Sequence, residues 1–204
     1  MTDPVKFWNA TAAKYAASPI SDPGAYERKL AVTRTYLRPD MAALEFGCGT
    51  GGTAISHAPH VASYRALDIS ENMIDIARAK DGADQVQFEV ADFDQVDIAP
   101  GSLDAVLGLS ILHLVADSTA TIGKVFASLK PGGVFVSSTV CLKSAWYLRP
   151  VIGIGKALGK VPPVKFLGVD ELRAAMTSAG FELVEDWVPE GGFQTLFLVA
   201  KKPG

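Results

Sequence analysis

Cysteine and histidine are scarce in this chain, and their scarcity excludes several kinds of site. The 204 residues include two cysteines, Cys48 and Cys141, and three histidines. Cys48 lies within a glycine-rich stretch and Cys141 ends an apolar run, so we expect neither a disulfide framework nor a zinc site. The histidines are not spaced as metal ligands either. We therefore predict no bound metal.

Long apolar runs and a strong excess of one charge are also absent. No uncharged apolar stretch reaches the roughly 18 residues that suggest a membrane-spanning helix. The first ten residues lack a basic segment followed by an apolar one, so we do not expect a secretory signal. The 19 basic and 22 acidic residues give no general reason to expect nucleic acid as a partner. The sequence predicts a cytoplasmic protein with one domain over residues 1–204.

Acidic residues are missing from one long stretch, residues 118–169. The basic residues of that stretch are Lys124, Lys130, Lys143, Arg149, Lys156, Lys160 and Lys165. Such an asymmetry indicates an anionic partner on one side of the protein.

Alternating strand and helix patterns predict an α/β fold. Five short apolar runs are typical of strands: residues 43–46, 64–68, 86–91, 103–109 and 134–140. Helical patterns occupy residues 5–17, 26–37, 70–80, 118–130 and 171–180. Two more strands, 181–187 and 193–201, are joined by a PEGG turn and predict an antiparallel hairpin, whereas residues 143–168 fit no regular pattern. We expect a doubly wound, mostly parallel sheet with helices on both faces.

The strongest local signal is the glycine-rich segment that follows the first strand, Glu-Phe-Gly-Cys-Gly-Thr-Gly at residues 45–51. Glycines there allow a sharp turn and a close approach of the backbone to a ligand. Gly47, Gly49 and Gly52 equally match the dinucleotide pattern G-x-G-x-x-G. Glu45, however, puts negative charge where a pyrophosphate would sit, which favours a ligand that carries a sulfonium and an ammonium group.

Two aspartates end the second and third strands. Asp68 stands where nucleotide-binding α/β folds meet the ribose, and its carboxylate can accept from both ribose hydroxyls. Asp92 can accept from an adenine amino group, while the adjacent Phe93 packs on the ring. The pattern therefore favours a nucleoside-containing ligand.

In this order, the motifs resemble those of the class I S-adenosylmethionine-dependent methyltransferases, in the group that includes the quinone-biosynthesis and small phospholipid methyltransferases. LEFGCGTG resembles the first motif, ALDIS the acidic second-strand motif, and ADF the adenine-side motif. LKPGG resembles the turn before the fifth strand, and AGFELVE the start of the C-terminal hairpin. The resemblance covers about residues 43–200. It implies the strand order 3-2-1-4-5-7-6 with strand 7 antiparallel, S-adenosyl-L-methionine as cofactor, and methyl transfer to a small molecule.

The resemblance also assigns residues to the cofactor. Its methionine side would meet the first motif, namely Glu45, Gly47, Cys48, Gly49, Thr50 and Gly51. Asp68 would hold the ribose, and the adenine would lie among Ile69, Met73, Asp92 and Phe93. Leu109 and Ser110 would lie beside the ribose and the reactive methyl group. Met73 fits a core position on its helix equally well.

Residues 1–40 resemble a helical lid. In related enzymes a tyrosine near Tyr15 often meets the methionine carboxylate. Phe7, Trp8 and Tyr15 fit equally well as residues that attach a helix to the core.

The acceptor stays open in the sequence, because no acid–base pair is evident. His113 fits either a base close to the acceptor or a packed histidine. Residues 141–169 are predicted to form an insertion over the acceptor, with Trp146, Tyr147 and Arg149 as contacts.

Two roles fit this insertion. It is either an ordinary lid, or a surface for anionic lipid or for an acceptor with a negative headgroup and an apolar tail. The second role would make the protein a phosphatidylethanolamine-type N-methyltransferase that binds peripherally at the membrane. An NAD-dependent oxidoreductase and a non-catalytic cofactor-binding module remain as further alternatives.

Overall fold

A seven-stranded mixed sheet forms the centre of the computed structural model, which describes residues 3–189 and 194–204. The strands are β1 (Ala42–Phe46), β2 (Ser63–Asp68), β3 (Gln87–Val90), β4 (Leu103–Leu109), β5 (Leu129–Val140), β6 (Glu182–Trp187) and β7 (Thr195–Lys201). Their order is β3-β2-β1-β4-β5-β7-β6, and only β7 runs antiparallel to its neighbours. The predicted fold class and strand order are confirmed. The turn predicted at PEGG falls largely on residues 190–193, outside the described residues.

Seven helices of the described chain surround the sheet. They are α1 (Pro4–Ala17), α2 (Pro23–Thr35), α3 (Gly52–His57), α4 (Glu71–Arg78), α5 (Ser118–Ser128), α6 (Arg149–Ala157) and α7 (Val169–Ser178). Asp3, Asp22, Ser70 and Asp117 each accept a hydrogen bond from a backbone N–H in the first turn of α1, α2, α4 and α5, respectively. Ser70 is thus the N-cap of α4, at the start of the helix predicted over residues 70–80. Within the described ranges no helix is both long and apolar enough to cross a bilayer.

Each face of the sheet carries its own apolar core. On one face Ile122 of α5 and Met176 of α7 pack with Phe46 and Phe135 of the strands. The core of the other face contains Ile74 of α4 together with Ala54 of α3. This two-faced burial explains why the central strands read as continuous apolar runs.

The turn predicted at residues 131–133 is instead an irregularity within β5. The pairing of β4 with β5 shifts between the pairs Leu103–Leu129 and Ala105–Val134. Gly132 N–H donates to the carbonyl of Lys202, and Lys202 N–H donates to the carbonyl of Gly133. These bonds to the end of the chain keep the PGG segment in the sheet, which a local turn pattern does not reveal.

Residues 143–168 are also more regular than the sequence indicated. A 3₁₀ segment, Lys143–Leu148, leads directly into α6. Pro150 occupies the first turn of α6. The N–H groups of a first turn have no hydrogen-bond partner within the helix, so the lack of an N–H in proline costs nothing there. Gly153 and Gly155 lie inside this helix, and because glycine disfavours helices the sequence did not predict one here.

Helix α1 is attached to α4 through one asparagine. Ser70 Oγ donates to Asn9 Oδ1 at 2.7 Å, and Asn72 Nδ2 donates to the Asn9 carbonyl at 3.0 Å. Only Ala12 of α1 is fully buried. The helix is therefore held by specific polar hydrogen bonds and buries little apolar surface.

Candidate functional site

The candidate site lies at the carboxyl edge of the parallel strands. Strands β1, β2, β4 and β5 run in the same direction, so the loops that leave them meet at one edge. The glycine-rich loop follows β1, Asp68 ends β2, and Ser110 follows β4. Residues about 20 to 60 positions apart in the sequence are thereby brought together.

The three glycines of the loop differ in what a side chain at each position would contact. Gly47, Gly49 and Gly51 have φ values of 65°, 54° and 73°. A Cβ atom at Gly47 would lie 2.6 Å from the Ile111 side chain, and one at Gly51 would lie 2.7 Å from Phe88. At Gly49 the nearest atom would be Tyr15 Cε1 at 3.7 Å. Packing of the protein itself requires Gly47 and Gly51, whereas a Cβ at Gly49 would clash with no protein atom and would face the space of both cavities.

Asp68 holds the glycine loop in place. Its Oδ2 accepts from Gly49 N–H at 2.8 Å, and its Oδ1 accepts from Ser70 N–H at 2.9 Å. Burial raises the pKa of Asp68, and these backbone donors oppose that rise. A carboxylate has about four lone-pair sites, so both oxygens can still accept from a ligand hydroxyl.

A first cavity, here called the sheet-edge cavity, has a volume of about 500 Å³. The predicted cofactor residues that line it are Tyr15, Gly47, Gly49, Asp68, Ile69, Met73, Asp92, Phe93, Leu109 and Ser110. Phe93 is buried and stacks on Phe46 with ring centroids 4.4 Å apart. The fold therefore gathers most of the residues that the resemblance assigned to the ribose and the adenine.

A second cavity, here called the α2 cavity, has a volume of about 980 Å³. It is lined by α2, the segment before it and the glycine loop, including Glu45, Cys48 and Thr50. The residues common to both cavities are Tyr15, Gly47, Gly49, Leu109, Ser110 and Val140. A group bound at this boundary would therefore be within reach of a ligand in either cavity.

Ser110 is unusual in the backbone at this boundary. Its φ of 59° makes it the one described non-glycine residue with positive φ. Its N–H donates to the Ser138 carbonyl at 2.7 Å. Such backbone strain concentrates at functional sites, which agrees with the position predicted for Ser110 beside the reactive methyl group.

Glu45 is less charged than the sequence suggested. It is buried, and burial raises its pKa to about 8 even though the Tyr64 hydroxyl donates to Oε2 at 2.8 Å. Burial therefore favours the protonated form of this carboxyl group. A cationic group bound beside it would favour the ionised form.

His113 lines the sheet-edge cavity and has a buried Nδ1 with no hydrogen-bond partner in the described chain. Burial lowers its pKa to about 4, so the ring is neutral at pH 7. A neutral ring can accept a proton. It is a weak base, however, because the pKa of its protonated form is low. The two interpretations of His113, base or packed residue, both remain.

The remaining predicted residues lie apart from both cavities. Trp146 and Tyr147 are exposed, and the Arg149 guanidinium lies 5.0 Å from the centre of the Phe166 ring. Pro162, Pro163 and Val164 line the sheet-edge cavity in their place. Gly51 also lines neither cavity, because its Cα faces Phe88 and Ala77.

The acid-free stretch does not form a uniformly basic surface, contrary to the simplest interpretation of the sequence. Lys130 pairs with Asp104 at 2.8 Å, and Lys143 pairs with Glu171. Lys124 donates to two backbone carbonyls, and Lys165 donates to one. Four of the seven basic residues thus meet partners that other segments supply.

Sequence reasoning missed two residues of the α2 cavity, Lys29 and Ser138. Lys29 lies on a helix with an ordinary mixture of charged and apolar residues, and Ser138 lies within an apolar strand. No local pattern marks either one. Their proximity follows only from the packing of α2 over β5.

Comparison with known proteins agrees with this geometry. A family model described as a methyltransferase domain matches residues 43–133. A ubiquinone biosynthesis O-methyltransferase of Xanthomonas euvesicatoria pv. vesicatoria is 30% identical over 69% of this chain. A structure of an S-adenosylmethionine-dependent methyltransferase from Mesorhizobium loti matches with a TM-score of 0.70 at 21% identity, over 89% of this chain and 99% of that one. The chain belongs to the class I S-adenosylmethionine-dependent methyltransferases.

The chain spans only part of the length of the curated relatives that it matches. It spans 62% of the length of the Xanthomonas protein. A hybrid PKS-NRPS synthetase of Macrophomina phaseolina is 31% identical over 80% of this chain, which corresponds to 4% of the synthetase.

The residues present fit the family's cofactor, S-adenosyl-L-methionine. Open space at Gly49 leaves room for a ligand over the loop, and Asp68 keeps free acceptor positions in the cavity lining. The buried Glu45 carboxyl suits a cationic ammonium neighbour better than a pyrophosphate. Within the described ranges no cluster of three His, Cys, Asp or Glu residues is arranged to hold a metal ion.

Proposed function

We propose that this protein transfers a methyl group from S-adenosyl-L-methionine to an oxygen atom of a small molecule bound where the two cavities meet. The boundary between the two cavities carries this proposal, because the predicted cofactor residues Tyr15, Leu109 and Ser110 line both of them. The name of the Xanthomonas relative, an O-methyltransferase, supports oxygen as the acceptor atom.

The protein would act mainly by positioning. When bound, the cofactor supplies an electrophilic methyl group on a sulfonium. Asp68 would hold the ribose, and Leu109 and Ser110 would place the reacting end at the boundary of the α2 cavity. Correct positioning of two reactants lowers a barrier by up to about 7–11 kcal/mol in ideal cases. Tyr15, on the attached helix α1, would help to exclude water from this boundary.

Calorimetry with two ligands tests the proposed cofactor. We expect S-adenosylhomocysteine, the product form of the cofactor, to bind and NAD to show no binding, because Glu45 lies where a pyrophosphate would sit. Binding of NAD alone would instead indicate an oxidoreductase.

A panel of acceptors tests the proposed reaction. Phenols, carboxylic acids, amines and thiols are incubated with the protein and methyl-labelled S-adenosylmethionine, and label transfer is measured. We expect transfer to at least one oxygen acceptor. Tight binding of S-adenosylhomocysteine without transfer to any member of the panel would indicate a non-catalytic module, and transfer only to amines would contradict the assignment of oxygen.

A second proposal concerns the exposed face of α6, which we propose binds an anionic membrane surface. Trp146, Tyr147, Val151, Ile154 and Leu158 are all between 62% and 68% exposed. The last three follow a spacing of three and four residues, which places them on one face of the helix. Basic residues accompany them in the sequence and no acidic residue lies between positions 118 and 169. Apolar side chains interspersed with positive charge are typical of interfacial helices.

Vesicle sedimentation tests this face. We expect the protein to sediment with phosphatidylglycerol vesicles and not with phosphatidylcholine vesicles. The bound fraction should fall with added salt, because exposed charges are screened over about 8 Å at physiological ionic strength. The double variant Ile154→Ser/Leu158→Ser should lose most of the binding. Val184→Ser removes an exposed apolar residue of β6 and should bind as the wild type does. Equal, negligible sedimentation with both vesicles would exclude a role in lipid binding.

A further inference from the structure

Helix α1 covers the site that the predicted cofactor residues form. Pro4 and Trp8 line the sheet-edge cavity, and Tyr15 lines both cavities. A Cβ atom at Gly49 would lie 3.7 Å from Tyr15 Cε1, so the tyrosine ring borders the space over the glycine loop. A cofactor bound between the glycine loop and Asp68 would therefore lie beneath α1.

Apolar packing contributes little to the attachment of α1. Ala12 is its one fully buried residue, and Trp8 makes edge-to-face contacts with Phe7 and Tyr15 of the same helix. Neither apolar core of the sheet, as the described residues form it, includes a residue of α1. Residues 18–22, which join α1 to α2, are exposed along their whole length. A movement of α1 would therefore leave both cores intact.

One asparagine makes the hydrogen bonds that hold α1 to the start of α4. Asn9 Oδ1 accepts from Ser70 Oγ at 2.7 Å and from Asn72 N–H at 3.2 Å, and the Asn9 carbonyl accepts from Asn72 Nδ2 at 3.0 Å. Among the described residues, the other hydrogen bonds of α1 stay within the helix and its two caps. The attachment of α1 therefore depends mainly on three bonds at Asn9.

These bonds lie next to the carboxylate that would hold the ribose. Ser70 is fully buried, and its N–H donates to Asp68 Oδ1 at 2.9 Å. The other oxygen of Asp68 accepts from Gly49 N–H at 2.8 Å. A connected set of hydrogen bonds thus runs from Asn9 on the covering helix, through Ser70 and Asp68, to the glycine loop.

We infer that Asn9 is a positioning residue that keeps α1 over the cofactor site and sets the rate at which S-adenosyl-L-methionine and S-adenosylhomocysteine are exchanged. A ligand enters and leaves when the bonds of Asn9 break and α1 moves about residues 18–22. All three bonds join groups of the protein, so they hold α1 to the same extent whether or not a ligand is bound. Weakening them should therefore speed up entry and departure by the same factor and leave Kd unchanged. This inference does not depend on which acceptor is methylated.

Surface plasmon resonance with S-adenosylhomocysteine tests this inference. Asn9→Ala removes both bonds to Oδ1. We expect its association and dissociation rate constants both to rise about tenfold, with Kd within about twofold of the wild-type value. Alanine is a better helix former than asparagine, so α1 itself should stay helical. Asn9→Asp keeps the acceptor oxygen at the N-terminus of α4, where negative charge is favourable, and should retain the wild-type rate constants.

Two further variants complete the test. Asn72→Ala removes the bond to the Asn9 carbonyl and should raise both rate constants by a smaller factor. Lys14→Ala changes the same helix at a position that lines neither cavity, and it should leave both rate constants unchanged.

Wild-type rate constants in both Asn9→Ala and Asn72→Ala would overturn the inference. A higher Kd of Asn9→Ala with an unchanged association rate constant would also overturn it, because Asn9 would then support ligand contacts and would not control exchange. Rate constants of Asn9→Asp as high as those of Asn9→Ala would show that the bonds to Oδ1 do not hold the helix.

Discussion

Replacing Gly49 with valine is expected to abolish binding of S-adenosylhomocysteine. Two effects combine at this position. The φ of 54° lies in the left-handed region, which is strongly unfavourable for a β-branched residue. The new Cβ would lie 3.7 Å from Tyr15 Cε1, in ordinary contact, and the side chain would occupy space at the boundary of both cavities that a bound ligand needs. We expect an affinity at least about a hundredfold lower, or about 2.7 kcal/mol, measured by calorimetry.

Gly101→Val separates the two effects. Gly101 has a φ of 62°, and a Cβ there would meet no atom within 4 Å, so this variant carries similar backbone strain away from both cavities. It should lose stability to a similar extent and keep its affinity for S-adenosylhomocysteine. A folded Gly49→Val protein that bound the ligand with wild-type affinity would contradict our placement of the loop.

Replacing Asp68 with alanine is expected to lower the affinity for S-adenosylhomocysteine by at least about tenfold, because two ribose hydroxyls lose a charged acceptor. The structure adds a second consequence. The carboxylate accepts from the N–H groups of Gly49 and Ser70, so its removal leaves two buried donors unpaired. Each such loss costs about 1–3 kcal/mol, and for a chain of this size each kcal/mol lowers the Tm by about 2–4 °C.

Two further variants distinguish ligand binding from loop stability. Asp68→Asn keeps one acceptor oxygen and should lose less stability than the alanine variant, while still weakening ligand binding. Asp117→Ala removes an aspartate that accepts from two backbone N–H groups at the start of α5 and that lines neither cavity. It should lower the Tm and leave the affinity unchanged. Unchanged affinity in a folded Asp68→Ala protein would exclude Asp68 as the ribose ligand.

Sequence patterns could predict those residues of the candidate site whose position depends on the neighbouring residues in the chain. Asp68 and Asp92 are recognisable because each follows an apolar strand, and the carboxyl ends of parallel strands meet at one edge. The sequence could not distinguish the three glycines of the loop. Their difference depends on Ile111, Phe88 and Tyr15, which come from other segments of the chain.

The surroundings of individual side chains were predicted least well, for a related reason. Trp146 and Tyr147 stand out in the sequence because large aromatic residues are conspicuous, yet they lie on the exposed surface. Lys29 is inconspicuous, yet the fold brings its Nζ to a serine 109 positions away. A residue's contacts across the fold, and not its type alone, decide whether it can meet a substrate.

By itself the sequence determined the strands, the order of motifs and the capped helices, because apolar periodicity and N-cap chemistry act over a few neighbouring residues. The family followed from those motifs. Only the tertiary structure decided the charge state of Glu45, the partners of Lys130 and Lys143, and the position of Lys29. The reason is physical: burial and long-range pairing set the electrostatic free energy of a group, and both depend on segments that meet only when the chain has folded.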